Sequence, residues 1–508
     1  AIGTSALGAN TSGNSNVGVG YQAGAAVTTG AAITAIGYNA LTANTTASSN
    51  TALGYGAGAA VTSGTGIVAI GVNALDAATT ASNLVGIGNN ALGANTSGAS
   101  NTAVGGIALQ ANTTASNNTA LGYNAGSAIT TGGGNVIIGV SAGDAMTTSV
   151  SNVLVGNSAG GAITTGNGEN VCIGNNCGAA MTTGQQNIFM GDNCAAGAAI
   201  TGNVNTIIGD NAGYDLTTAT GSAVFGAGAG ANITTGIENV CLGYVSGAEI
   251  TTGQRNTLIG TAAGDAATTV SNLTAVGYAA LGANTTATAN TAVGYAAGDV
   301  LTTGSNNTAL GDNALGAETT GANNTALGMN ALLVQDTASN NTAVGSGAGA
   351  AITTGAQNTV VGRLALDALT TGTYNDAFGY QALTAVTTGG NNVGIGSNSL
   401  AADTTGGNNT SVGMNSMLLN TTGSNNTAVG GTALDANTTA SSNVAVGYGA
   451  LGANTTGTPN TAVGADAMLL CTTGGHNTAM GRSCMDAMTT GSYNDAFGVN
   501  ALGALTTG

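Results

Sequence analysis

The chain is short of charge, and above all of positive charge. Its 508 residues include 20 acidic side chains and three arginines but no lysine, which gives a net charge of −17. Because nucleic acids and anionic membranes are bound by clustered lysine and arginine, this composition argues against both as partners. No apolar run approaches the roughly 20 residues that span a bilayer, so we expect no membrane insertion.

Cysteine and proline are scarce as well. Six cysteines in a chain of this length do not make a disulfide framework. The single proline, Pro459, marks no linker, because the repeat described next runs through it without a break. We therefore expect no division into separate domains.

Glycine is abundant, and its spacing is the most informative feature. Of the 88 glycines, thirty recur from Gly3 to Gly498 at intervals of 17 residues, except that Gly156 to Gly174 and Gly191 to Gly209 are 18. A short period held over a whole chain is the signature of a solenoid. We predict one continuous array over residues 1–508, an all-β, parallel β-solenoid (β-roll) of about 30 coils with 17 residues per coil.

Each coil is numbered here from its marker glycine, position 0. The residue at −1 is almost always large and apolar, which predicts that it is the main core position. Position +3 is always Ala, Ser or Cys, which indicates that two backbones approach closely there. Cys177 and Cys194 occupy +3 in neighbouring coils, and we interpret them as small core residues, with a disulfide as the alternative.

Positions +4 and +7 compensate for each other. Where +4 is Gly, +7 is usually apolar, as in Gly126 with Ile129. Where +4 is Leu, +7 is often polar, as in Leu281 with Asn284. The pattern predicts that both side chains reach one pocket, which native packing density allows to be filled only once.

Asparagine and threonine form the polar columns of the repeat. Position −4 is Asn in 24 of 29 coils, which predicts a ladder of amides bonded from coil to coil. Glycosylation at Asn-x-Thr, as at Asn44 and Asn112, is the rival interpretation for a secreted chain. Thr pairs fill +8 and +9 in 25 of 30 coils, and strand alternation predicts one column pointing in and one out.

The coil is thus predicted to consist of short strands separated by Gly and Asn corners. Layers about 4.8 Å apart would stack into a rod of about 140 Å. So slim a core leaves alanine faces half exposed, which favours lateral association of the chain with itself. Neither end carries a cap, so we expect an internal stretch of a longer fibre, or other material covering both ends.

The strings Asn101-Thr-Ala-Val-Gly105 and Asn358-Thr-Val-Val-Gly362 resemble the head repeats of trimeric autotransporter adhesins. They are also similar to repeats of bacteriophage tail fibres, although the coil here is longer than that of the adhesin heads. The resemblance implies a left-handed parallel β-solenoid and a homo-oligomer, with a trimer favoured. It also implies an extracellular place on a bacterial surface appendage or a virion tail fibre. Host or prey cell-surface glycans would then be bound by parts outside this chain.

No motif points to catalysis. His476, the one histidine, is interpreted as an exposed corner residue. Asp192 and Asp210 occupy +1 in neighbouring coils, with Asp215 nearby, and form the best carboxylate pair. Stacked carboxylates suit a cation or the acid and base of a glycan-cleaving enzyme, but an exposed, weakly repelling pair is the preferred interpretation. We predict no catalytic residue and no cofactor, and name Asp192 and Asp210 only as weak metal candidates.

Two further columns have surface interpretations. Asp recurs at +5, as at Asp76 and Asp435. We interpret these residues as surface charges that keep an otherwise uncharged surface soluble. Tyr recurs at +1, as at Tyr38 and Tyr278, and forms either an outward stripe for sugar contact or a shield over corners and oligomer seams.

These observations favour a structural and adhesive fibre that is not an enzyme. Its mechanism is mechanical: a rigid shaft that spaces or presents a binding tip away from a virion or a cell. The first alternative is an ice- or crystal-surface-binding solenoid, which would need the −3 threonines, such as Thr308, alongside the Thr pairs. A glycan-degrading tail spike is the second alternative.

Overall fold

The structure, a computed structural model, describes all residues from 1 to 508. It contains 29 parallel β-strands and no helix, so it also has no apolar helix that could cross a membrane. Each strand covers positions −3 to −1, directly before a marker glycine, and two strands begin one residue earlier. The parallel β-solenoid with a coil of 17 residues is therefore confirmed, while its left hand stays a prediction.

The chain divides into two compact units, residues 1–256 and 257–508. In the first unit every strand pairs in parallel with the next one along the chain. Its strands are β1 (Val17–Val19), β2 (Thr34–Ile36), β3 (Thr51–Leu53), β4 (Val68–Ile70), β5 (Val85–Ile87), β6 (Thr102–Val104), β7 (Thr119–Leu121), β8 (Val136–Ile138), β9 (Val153–Val155), β10 (Val171–Ile173), β11 (Ile188–Met190), β12 (Thr206–Ile208), β13 (Ala223–Phe225) and β14 (Val240–Leu242).

The second unit repeats this arrangement. That one array runs without interruption through residues 1–508 stays a prediction. The strands are β15 (Thr257–Ile259), β16 (Thr274–Val276), β17 (Thr291–Val293), β18 (Thr308–Leu310), β19 (Thr325–Leu327), β20 (Thr342–Val344), β21 (Thr359–Val361), β22 (Asp376–Phe378), β23 (Val393–Ile395), β24 (Thr410–Val412), β25 (Thr427–Val429), β26 (Val444–Val446), β27 (Asn460–Val463), β28 (Asn477–Met480) and β29 (Asp495–Phe497).

The two 18-residue intervals leave the strand register unchanged. Val153 pairs with Val171 across the first of them, and Ile188 pairs with Thr206 across the second. The extra residue of each interval is therefore taken up in the turns between strands. In the second interval this shift brings Ile200 beside Met181, with which it forms an isolated parallel bridge.

The core lies under the middle residue of each strand, at −2. Ala35, Ala52 and Ala103 are fully buried there, whereas the −1 residues Leu53 and Leu310 are 46% and 42% exposed. The prediction that −1 is the main core position is wrong. A three-residue strand turns its middle side chain to one side and its two outer side chains to the other, so the large apolar residue faces outward.

The core pocket of each coil is filled in one of two ways. In many coils a buried Leu at +4, such as Leu41, or a buried Met, such as Met417, fills it and adopts a left-handed φ. From Ile137 to Leu258, position +4 is Gly or Ala instead, and −2 is Val, Ile, Leu, Phe or Cys. A Cβ on Gly126 would lie 3.1 Å from Ile129 Cδ1, and one on Gly264 would lie 2.8 Å from Leu258 Cδ2. The predicted compensation between +4 and +7 is confirmed, and it extends to −2.

Candidate functional site

The asparagines at −4 form a buried ladder that ties each coil to the next. Asn392 is buried, and its Oδ1 accepts the backbone N–H of Asn409 at 2.9 Å. Its Nδ2 donates to the Gly406 carbonyl, 2.9 Å away, at a corner of the coil. The same pattern holds in the first unit, where Asn118 Oδ1 accepts the N–H of Asn135 at 3.0 Å. The predicted ladder is confirmed.

The rival interpretation, a glycan on Asn44 or Asn112, conflicts with the fold. Both residues lie at +7 rather than −4, and neither has any exposed surface. A glycan needs an amide that reaches solvent, so neither residue offers an attachment point in the folded chain.

The Thr pairs lie in bends between strands and not in strands. The hydroxyl at +8 is half-buried and donates to the backbone carbonyl of the +8 Thr in the next coil, as from Thr302 to Thr319 at 3.0 Å. The +9 residue, such as Thr303, is exposed. The prediction that one column enters the core is wrong, because strand alternation does not apply to a bend.

A second buried polar column occupies +7. Asn437 Nδ2 donates to Asn420 Oδ1 at 2.7 Å, and Asn454 Nδ2 donates to Asn437 Oδ1 at 3.2 Å. Asn44 and Asn284 stand alone between apolar +7 residues, and their side-chain amides have no protein partner. Polar side chains at +7 therefore find hydrogen-bond partners mainly where neighbouring coils also have a polar residue at +7.

Two carboxyl groups are buried in this +7 column. Glu318 accepts the backbone N–H of Gly321 and a hydrogen bond from Gln335 Nε2, at 2.7 Å. Asp403 Oδ1 accepts the N–H of Gly406 at 2.9 Å. Burial raises the pKa of Glu318, and burial raises the pKa of the Asp403 carboxyl to about 7. Sequence reasoning missed both residues, because it treated acidic side chains as surface groups.

The buried carboxyl predicts a pH-dependent stability. Asp403 binds its proton more tightly in the folded chain than in the unfolded chain. The free energy of unfolding is therefore highest below the unfolded pKa, about 4, and falls as the pH rises to about 7. Replacing Asp403 by Asn should remove this loss and stabilise the second unit by about 2–4 kcal/mol at pH 8.

Urea unfolding at pH 4 and pH 8 measures this effect. Asp312→Asn, which changes an exposed carboxylate, is the matched control and should shift the midpoint little at either pH. A midpoint for Asp403→Asn that equals the wild-type midpoint at pH 8 would contradict the prediction.

The weak metal candidates Asp192 and Asp210 lie in neighbouring coils, joined where Asn211 N donates to the Asp192 carbonyl at 3.0 Å. Both side chains are exposed. Asn175 Nδ2 donates to Asp192 Oδ1 at 2.9 Å, and Asn211 Nδ2 donates to Asp210 Oδ1 at 3.1 Å. No three His, Cys, Asp or Glu side chains converge anywhere in a way that could hold a metal ion. Asp215 is half-buried on the same stretch of chain.

All six cysteines are buried free thiols. Cys177 and Cys194 lie in neighbouring coils, where Gly178 N donates to the Cys194 carbonyl at 2.8 Å, yet they form no disulfide. Burial raises the pKa of Cys241 to about 12, which keeps that thiol neutral. Their interpretation as small core residues is confirmed.

Some of the aromatic groups outside the core stack on one another. Tyr21, Tyr38 and Tyr55 are exposed, with ring centroids 5.0 and 5.1 Å apart. His476 is an exposed corner residue, as predicted, and stacks on Tyr493 at 4.7 Å. Where the rings stack in this way, their faces are covered by each other, which favours a shielding role for these tyrosines. Tyr123, Tyr244 and Tyr448 are 60%, 61% and 65% exposed and stack on no other ring, so a sugar contact stays a prediction for them.

The Asp residues at +5 are half-buried rather than fully exposed. Each lies beside the +5 residue of the next coil. A Cβ on Gly93 would lie 3.5 Å from Asp76 Oδ1, and a Cβ on Gly452 would lie 3.5 Å from Asp435 Oδ1. Thr384 takes that place beside Asp367 and donates to Oδ1 at 2.5 Å. Burial raises the pKa of Asp76, Asp299 and Asp435. These carboxylates fit into notches, so solubility alone does not account for them.

The structure thus shows one repeated set of bonds between coils. Neither a comparison with known protein-family models nor a search of curated proteins gives a match.

Proposed function

We propose that this chain is the rigid shaft of an extracellular structural and adhesive fibre, homo-oligomeric with a trimer favoured. It would space or present a binding tip on a bacterial surface appendage or a phage tail. The observation that carries the proposal is the sameness of the coils. Within each unit the strand pairing, the Asn amide bonds and the Thr hydroxyl bonds recur from coil to coil.

These bonds give the shaft its mechanical role. The strand hydrogen bonds, the Asn392–Asn409 type of contact and the Thr302–Thr319 type of contact all join one coil to the next. A force along the array is therefore shared among several bonds at every step. A core that holds mostly Ala and one or two larger apolar side chains per coil contributes less, because little apolar area is buried per residue.

The alternatives gain less support. An ice-binding face was expected to combine the −3 threonines with the Thr pairs, but the −3 residues lie on strands and the pairs lie in bends. The +8 hydroxyls are also occupied by backbone carbonyls. A glycan-degrading spike would rest on Asp192 and Asp210, which stand exposed on a regular surface.

Cryo-electron microscopy of the purified assembly tests the proposal. A shaft should appear as straight particles with an axial rise of about 4.8 Å per coil and several chains around one axis. The image also gives the number of chains and the hand of the coil. Separate single chains without rotational symmetry would contradict a homo-oligomeric shaft.

A further inference from the structure

The strands of the second unit present an apolar outer face. We define this outer face as the −3 and −1 side chains of β15–β29. Position −1 is Val, Ile, Leu, Met or Phe in every strand, and none of these residues is buried. Leu310, Phe378 and Met480 are 42%, 38% and 43% exposed. A continuous row of large apolar side chains in water is unfavourable, and such patches usually mark contact surfaces.

Large apolar residues at +1 border the outer face, two residues further along each coil. Tyr295, Met329 and Tyr448 are 57%, 52% and 65% exposed. Taken together, fifteen large apolar side chains at −1 and +1 of this unit are exposed. At about 80 Å² each they offer on the order of 1,200 Å², against the roughly 800 Å² per partner of a specific interface.

The outer face also lacks the charge that the rest of the chain carries. Position −3 is Thr or Val in all these strands except for Asp376 and Asp495. The bordering +1 column adds Asp312 and two arginines, Arg363 and Arg482, so three acids and two bases leave a net charge of −1. The second unit as a whole has 12 acids and two arginines, which gives a net charge of −10. Two copies in contact through this surface would bring only three acids of each second unit into the contact.

We propose that the outer face of the second unit packs against the same face of a second copy of this chain. This inference rests on the proposed homo-oligomeric shaft and identifies its contact surface. Because one face packs against the same face, the contact joins two copies, in place of the trimer that the resemblance favours. The argument for a second copy is periodicity: the −1 side chains recur once per strand, and a long contact needs a partner with the same spacing. A copy of the chain has that spacing, so its side chains can interdigitate as in a dry interface between stacked sheets.

Sedimentation velocity on two triple variants tests the contact surface. The first carries Leu310→Lys, Val344→Lys and Phe378→Lys, all at −1 and in alternate coils, so that no two lysines are adjacent. The matched control carries Val334→Lys, Leu419→Lys and Leu470→Lys at +6, where the side chains are 40%, 50% and 49% exposed. Both variants add the same charge at apolar positions that are exposed, except for Val344, which is half-buried.

We expect the wild type to sediment as an oligomer, and the control to do the same. The −1 variant should dissociate, with a dissociation constant raised at least about 100-fold, because lysines would be buried without partners. Circular dichroism shows whether the lysines unfold the chain. If they do, a variant with Thr at the same three positions is used in place of the lysine variant, because Thr keeps the strand propensity.

The outcomes separate this inference from the proposed function. If the −1 variant remains an oligomer, or if the +6 control dissociates as well, the proposed contact surface is wrong. Neither result contradicts the homo-oligomeric shaft. A wild type that sediments as a monomer at every concentration overturns both.

Discussion

Replacing Gly71 by alanine is expected to destabilise the first unit by about 3–5 kcal/mol, a large effect for the replacement of one hydrogen atom by a methyl group. Gly71 has a φ of +127°, which side-chain-bearing residues rarely adopt. A Cβ there would lie 2.6 Å from the Gly88 carbonyl oxygen and 2.7 Å from its carbonyl carbon. Both atoms are backbone of the next coil, so neither can move aside without disturbing the strand pairing.

Gly134→Ala is the matched control for this substitution. Gly134 also has a left-handed φ, +74°, but the nearest atom to its Cβ would be Ser151 Oγ at 3.7 Å. We expect a cost of about 1 kcal/mol, since only the backbone conformation is penalised. Urea unfolding followed by circular dichroism measures both variants. Equal midpoints would show that the contact between marker glycines does not matter.

The second large effect is expected at the Asn ladder of the second unit. Replacing Asn392 by Ala should cost about 3–5 kcal/mol, because it leaves the N–H of Asn409 and the carbonyl of Gly406 buried without their partner and opens a cavity. Replacing Asn392 by Leu should cost clearly less. The chain itself places Leu at this position in Leu84 and Leu273, both of them buried.

Asn391→Gly, at the adjacent residue, is the matched control. Asn391 is exposed with a φ of +59°, a conformation that glycine adopts freely, so this change should leave the unfolding midpoint nearly unaltered. Thermal unfolding of the three variants gives the ranking. Both variants lack the amide bonds, so a Leu variant as stable as the wild type would mean that these bonds contribute nothing beyond the volume they fill.

The fold was predictable from sequence because its strongest constraint acts on one residue type. The marker glycine needs both a left-handed φ and the absence of a Cβ, so no other residue replaces it and the period is visible directly. The Asn ladder was predictable for a similar reason. Its amide serves as both donor and acceptor inside the core, and few side chains can do both.

The direction of the strand side chains was not predictable by the rule used. Size was taken as a sign of burial, so the large −1 residue was placed in the core and the small −2 alanine was ignored. In so narrow a coil, Ala is what fits beneath a strand when Leu occupies +4. The run from Ile137 to Leu258, in which −2 is large wherever +4 is Gly or Ala, carried the signal.

The buried acids were missed for a related reason. Asp403 and Glu318 stand in the same +7 column as Ile129, which the repeat pattern assigns to the core pocket. Assigning each residue by its position in the repeat, and not by its own polarity, would have placed both carboxyl groups in the core.

The equivalence of the coils has a consequence for the gene. Removing residues 308–324 joins Asn307 to Thr325, a junction that already exists as Asn324 next to Thr325, and every later contact moves down by one identical step. Recombination between neighbouring repeats therefore shortens or lengthens the protein by whole coils and keeps the register of the strands. Length can then change by selection on copy number alone, while every single coil stays under the same stereochemical constraint.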